Sequence, residues 1–178
     1  MKLRDLLKEN STSKYEYGAA MLYFNFPELT KIQSFIDAQD VYLETGDKTF
    51  GLEDEAHCTL LYGLHSNVTP QEVQFALKKF KFGKCSLHSP SIFENEKYDV
   101  LKYNVQNDIL NAANKELRKF PYTNDFPDYK PHLTIGYLKV GAGKKYVEFL
   151  SKNYPTFELV PRFIMYSEPS GTKTRIKI

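Results

Sequence analysis

Apolar and polar positions along the chain alternate with period two in some stretches and with a period near 3.6 in others, which separates strands from helices. Ala19 to Phe26 (AAMLYFNF) reads as a strand, and Pro27 then opens an amphipathic helix through about Ala38. HCTLLYGL is the next strand. Thr69 and Pro70 start a second helix, with Thr69 as N-cap, Glu72 in the first turn, and Val73, Ala76, Leu77 and Phe80 on one face. The second half repeats the order of the first: YDVLKYNV is a strand, Asp108 to Lys119 a helix, and HLTIGYL a strand. Gly141 and Gly143 mark a turn before a helix through about Lys152, and FELVPRFIMYSE and KTRIKI close the chain as strands.

This order predicts an α+β protein of two lobes related by a pseudo-two-fold axis, the repeat lying in the pattern and not in sequence identity. Alternating strands and helices also fit a doubly wound parallel sheet. The first strand, however, runs into FPEL where a nucleotide-binding fold of that kind carries a glycine-rich turn. A length of 178 residues suits one domain, residues 1–178, better than two independent ones.

Composition narrows the class. The chain is 42% hydrophobic and 15% aromatic, enough apolar surface to offset the entropy of ordering the backbone. Net charge is only +2, with both signs interspersed, so no long basic tract offers itself to duplex nucleic acid. Arg4, Asp5, Lys8 and Glu9 interrupt the N-terminal leucines and spoil a signal-peptide core, and no apolar run has the length of a membrane span. A soluble, cytoplasmic protein without membrane contact is expected. Cys58 and Cys85 lack zinc or disulfide spacing and read as reduced core thiols.

Two of the four histidines begin the same pattern: His57/Thr59 in HCTL and His132/Thr134 in HLTI. Because strand side chains alternate, each His and Thr share one face while Cys58, Leu60, Leu133 and Ile135 anchor the other. Chance agreement, with apolar residues at both intervening positions, has odds of roughly one in a thousand. A single such histidine is ordinarily half-buried packing; a matched pair at equivalent places in two similar halves is a pair of catalytic half-sites. Imidazole titrates near pH 6.5 and serves as base or acid, as phosphodiester cleavage requires. Thr59 and Thr134 are positioned to donate hydrogen bonds to non-bridging phosphoryl oxygens. His65 and His88 lack this context and read as surface or turn residues.

A metal centre is the first competitor, with Asp54, Glu55 and Asp128 near the motifs, but H-x-H and H-E-x-x-H spacings are missing, and no metal or cofactor is expected. A Ser-His-Asp hydrolase fails for want of a G-x-S-x-G elbow. Strand parity aims Tyr23 and Lys102 at the cleft, for a base and a phosphate, with Asn25 and Asn104 sharing their faces. Tyr166 and Glu168 share parity near the C-terminus and are expected to stack on a base and to accept from a base edge. Phe126, Asp128 and Tyr129 lie on a loop expected to rim the cleft, while Pro131 is structural.

At HCTL and HLTI, 75 residues apart in two halves of similar order, the chain resembles the 2H phosphoesterase superfamily. That likeness implies a bilobal fold of two mainly antiparallel sheets with helices outside and a central cleft. It also implies a metal-independent phosphodiesterase acting through His57, Thr59, His132 and Thr134. The forms EAHCTLLYGL and FPDYKPHLTIGYL further resemble the phage anti-CBASS 2H nucleases. This closer likeness implies hydrolysis of 3′–5′ bonds in cyclic di- or trinucleotide signals, in the host cytoplasm. A 2′,3′-cyclic nucleotide phosphodiesterase or RNA-end-processing enzyme shares every catalytic residue. A nucleotide-binding module that has lost catalysis shares the fold.

Overall fold

The alternation of Gly18–Phe24 becomes a strand whose every second residue is buried. In the computed structural model, which describes residues 14–178, it is followed by α1 (Glu28–Gln33), β2 (His57–Leu64), α2 (Pro70–Leu77) and β3 (Cys85–Glu94). Then come β4 (Tyr98–Gln106), α3 (Asp108–Leu117), β5 (His132–Lys139), α4 (Gly143–Asn153), β6 (Phe157–Leu159), β7 (Pro161–Ser167) and β8 (Lys173–Ile176), with Gly18–Phe24 as β1. The charged N-terminal segment around Arg4, Asp5, Lys8 and Glu9 lies outside the described residues. No helix among them is long and apolar enough to cross a membrane.

Local chemistry sets the helix ends. Thr69 and Glu72 close a reciprocal capping box at the start of α2, and the Asn107 side chain accepts from the Ile109 N–H at 2.8 Å to start α3. α1 stops well short of Ala38. The Ser34 hydroxyl donates to the Lys31 carbonyl at 2.7 Å, a local bond that competes with helix continuation. Val73, Ala76 and Leu77 are buried as their spacing predicts, and Phe80 packs at the edge of the core.

The two expected sheets are one. Eight strands run in the order β6-β3-β4-β5-β2-β1-β7-β8, all neighbours antiparallel, because the motif strands β2 and β5 pair with each other at Cys58 and Leu133. Four strands stand on either side of that junction. The stretch read as a single strand from Phe157 splits at Val160, because Pro161 cannot donate to a continuing ladder. β6 then pairs at one end of the sheet and β7 near the other. Leu159 and Pro161 are two residues apart, no more than roughly 7–8 Å, so the sheet must curl to bring those strands together. β3 was not announced by the pattern. Its alternation breaks at Ser89, which has φ of 49°, and Pro90, where pairing with β4 slips.

Each motif strand carries a bulge three residues past its histidine. Ala20 and Met21 pair with Leu61 and Thr59, leaving Leu60 over; Leu101 and Lys102 pair with Gly136 and Thr134, leaving Ile135 over. Groups of the opposite half take up each spare carbonyl. Asn114 of α3, 3% exposed, donates its amide to Leu60 O at 2.6 Å, and Ile135 O accepts from Gln33, the last residue of α1, at 3.0 Å and from the Glu53 N–H at 3.1 Å.

Replacing Asn114 by Leu strands the Leu60 carbonyl without its partner. The variant should lose about 1–3 kcal/mol, a fall of roughly 2–10 °C in melting midpoint by calorimetry, and an unchanged midpoint refutes the role given to this bond.

Candidate active site

Cys58 and Leu133, both fully buried, face each other across the β2–β5 junction. Their neighbours along each strand project from the other face of the sheet. Antiparallel register about that pair therefore sets His57 opposite Thr134 and Thr59 opposite His132, and the two histidines are diagonal neighbours, a relation that spans roughly 7–8 Å with the Cβ atoms somewhat closer. Two rows cross this face. The first runs Phe163, Tyr23, His57, Thr134, Lys102, Ser91, and the second passes from Met21 through Thr59, His132 and Asn104 to His88. Beyond the junction the motif strands part: Leu52 bridges to Gly136 and Val41 to Leu138 along β5, while Leu64 bridges to Tyr122 along β2.

The histidines are held alike. Nδ1 of His57 lies 3.0 Å from the Glu55 carbonyl, and Nδ1 of His132 lies 2.8 Å from the Lys130 carbonyl. A carbonyl can only accept, so each Nδ1 donates and each Nε2 is left as the reactive nitrogen. Their surroundings differ. His57 stacks on Tyr23 at 5.4 Å between centroids, and Tyr23 in turn stacks on Phe163 at 5.1 Å. His132 meets Phe93 edge-on at 4.9 Å. Burial, with help from the Lys102 ammonium and from His57, holds His132 below the ordinary imidazole range, although its bond to Lys130 works the other way. Lys102 is itself 4% exposed. It donates to Ser91 Oγ at 2.8 Å and Asn104 Oδ1 at 2.7 Å, sits 4.3 Å from the centre of the Phe93 ring, and is lowered in pKa by desolvation and by Lys130. Beside His57 stands Glu53, its carboxyl raised by burial and drawn back by the charge of His57.

Two cavities flank the histidine diagonal. A small one of about 140 Å³ is lined by Tyr23, His57 and Glu53 to Glu55. The larger, about 570 Å³, takes in Thr59, His132 and Thr134 and continues to Tyr62, Tyr137 and Arg118. The bulges explain the tyrosines: one extra residue in each strand moves the fifth position after the histidine onto the cleft face. The signal was present in the sequence as H-x-T-x-x-Y, twice. Asp54 and Glu55 fall in the small cavity and Asp128 in the large one, and among the described residues no three His, Cys, Asp or Glu side chains gather in a metal-sized cluster.

Of the expected substrate contacts, Tyr23 and Lys102 are on the cleft face and Tyr166 and Glu168 are not. Tyr166 is fully buried on the opposite face and donates its hydroxyl to the Val68 carbonyl at 2.8 Å, so it is a core residue. Its pairing with Ala20 shows why: the side-chain parity of β7 follows Ile164, not Phe163. Glu168 lies past the end of β7, its N–H bonded to Thr172 O, and lines neither cavity. The loop before β5 does rim the larger cavity. Phe126 and Asp128 line it, and Tyr129 pins it by donating to Thr59 O at 3.0 Å. Cys58, beneath the site, is a free buried thiol pushed up to about 12 by desolvation, and Cys85 is likewise free and buried. His65 bonds Thr123 at the rim of β2, and His88 contacts Ser89. Phe93 and Glu53 had no sequence signal, since β3 and the 41–53 segment showed no periodicity.

No protein-family model matches the chain, and no curated protein matches its sequence. Its fold is similar to that of Kluyveromyces marxianus Usb1, with a TM-score of 0.59 and 9% identity over 92% of this chain and 99% of that one. The same yeast protein with uridine monophosphate matches with a TM-score of 0.58 and 8% identity, over 92% and 98% of the two chains.

Proposed function

We propose that the chain is a metal-independent phosphodiesterase of RNA-type bonds, acting on a nucleotide end or a 2′,3′-cyclic phosphate. The observation that carries this reading is the β2–β5 register, which sets two Nδ1-anchored histidines diagonally with a threonine opposite each. Uridine monophosphate in the yeast neighbour favours an RNA-type substrate over the cyclic di- and trinucleotides implied by the phage-nuclease likeness. The paired bulges, each satisfied from the other half, also support reading the two halves as related by a pseudo-two-fold axis.

The unequal surroundings favour one division of roles. His132, buried beside an ammonium, is kept neutral and takes the proton from the attacking 2′-hydroxyl or water through Nε2. The new oxygen–phosphorus bond forms as the bond to the leaving oxygen breaks, and His57, across the diagonal with Glu53 in the cavity beside it, gives that oxygen a proton. Thr59 and Thr134 hold the non-bridging oxygens while charge accumulates on them. Attack by a 2′-hydroxyl yields a 2′,3′-cyclic phosphate and a freed hydroxyl. Water then opens the cyclic phosphate, with the histidines exchanging roles.

Oligouridylate, uridine 2′,3′-cyclic phosphate and a 3′,3′-cyclic dinucleotide, each incubated with chelator, test substrate and mechanism together. Cleavage of the first or second is expected to survive chelation and to fall about 10²–10⁴-fold in His57→Ala and His132→Ala. Undiminished turnover in both variants would falsify the site, and exclusive cleavage of the cyclic dinucleotide would restore the phage-type substrate.

A bell-shaped pH dependence of kcat/KM is expected, with its acid limb below the ordinary imidazole value because His132 must lose its proton. Removing the Lys102 charge stabilises protonated His132, so Lys102→Met should move that limb to higher pH. A limb that stays in place in this variant assigns the base to another group.

A further inference from the structure

Arg118, whose guanidinium lies 5.5 Å from the centre of the Tyr122 ring, joins the exposed Lys130 as a cation of the larger cavity outside the motif chemistry. It follows the last turn of α3 and lines the same cavity as Thr59 and His132. A guanidinium carries five N–H donors. Among the described residues Arg118 makes a single polar contact, from Nη2 to the Phe126 carbonyl at 3.4 Å, at the outer limit of a hydrogen bond. Its Nε is buried with no partner, and no Asp or Glu among the described residues pairs with it. A buried donor left open is costly until an acceptor arrives, and the planar fork of arginine matches phosphate oxygens two at a time.

The cavity around this cation has the other features of a nucleotide subsite. Tyr62 and Phe126 line it and are 46% and 68% exposed, so both rings offer open aromatic surface. Bases of any kind stack on such surfaces. Glu94 and Asp128 share the lining but are exposed, so water screens their repulsion of an anion. The volume of about 570 Å³ exceeds what a lone phosphate between the histidines would fill.

We infer that Arg118 holds a second phosphate of the substrate, one nucleotide away from the phosphate between His57 and His132, with Tyr62 and Phe126 as the wall for the base. The inference rests on the phosphodiesterase reading and deepens it. The substrate is an oligonucleotide bearing at least two phosphates, and a mononucleotide cyclic phosphate occupies only half of the site.

Equilibrium binding separates this from the question of turnover. Uridine 3′,5′-bisphosphate should bind the wild-type protein about tenfold more tightly than uridine 3′-phosphate, the effect expected of one charge-assisted contact. Arg118→Gln should abolish that advantage and Arg118→Lys retain part of it, while His57→Ala keeps it whole. Equal affinity of the wild type for the two ligands overturns the inference, with no variant needed, and so does an advantage that survives in a folded Arg118→Gln. A bisphosphate advantage without cleavage of any substrate confirms the phosphate site and instead sinks the enzyme reading. Linear pUpU and a 3′,3′-cyclic dinucleotide, titrated in parallel, identify the source of the second phosphate by which one loses affinity on removal of Arg118.

Discussion

The antiparallel contact between Cys58 and Leu133 is the constraint on which the site depends. Both side chains are sealed in the core, and a slip of one residue in either strand would bury a histidine and expose an apolar residue in its place. Hydrophobic burial on one face therefore fixes the geometry of the histidine pair on the other. The overlap is short. Immediately beyond it β5 takes bridges from Val41 and Leu52, and β2 takes one from Tyr122, so the motif strands meet only where their histidines begin.

A junction this short needs support from both sides, and the bulges supply it. Each leaves one carbonyl outside the β-strand ladder, and its partners come from the other half: the Asn114 amide onto Leu60 of β2, and the Gln33 amide with the Glu53 N–H onto Ile135 of β5. A half that moved alone would break a bond in its partner. Tyr129 adds a further tie from the loop ahead of His132 to the carbonyl of Thr59, the threonine opposite that histidine. The register is thus reinforced by the groups closest to the chemistry.

The parts legible in the sequence were those governed by local periodicity. β1, β2, β4, β5 and the start of α3 follow from periodicity and the capped start of α2 from N-cap chemistry, and the face shared by His57, Thr59, His132 and Thr134 needed only strand parity. Parity also placed Tyr23 and Lys102. It failed where it was carried across a run without knowing which strand neighboured which: Tyr166 has the parity of Ile164 and faces the core. It failed again at β3, where Ser89 and Pro90 break the pattern, and with it Phe93, the ring against His132, went unseen. The joining of two expected sheets into one depends on a single cross-half pair, which no local pattern encodes. Tyr62 and Tyr137 were readable only to someone who allowed for a bulge at the same place twice.

A scaffold with matched halves cannot by itself tell an acid from a base. Both histidines donate Nδ1 to the carbonyl two residues earlier, and both face a threonine across the junction. The distinction has to come from the next strand outward, and there the halves diverge. Tyr23 of β1 stacks on His57 with Glu53 in the cavity beside it, whereas β4 places Lys102 next to Thr134 and within the field of His132. An ammonium penalises a second positive charge, so burial and Lys102 together bias His132 toward its neutral form. Symmetry in the first row of contacts sets the two imidazoles on one diagonal with a threonine opposite each. Asymmetry in the second row makes their surroundings unequal, and the proposed division into base and acid rests on that difference.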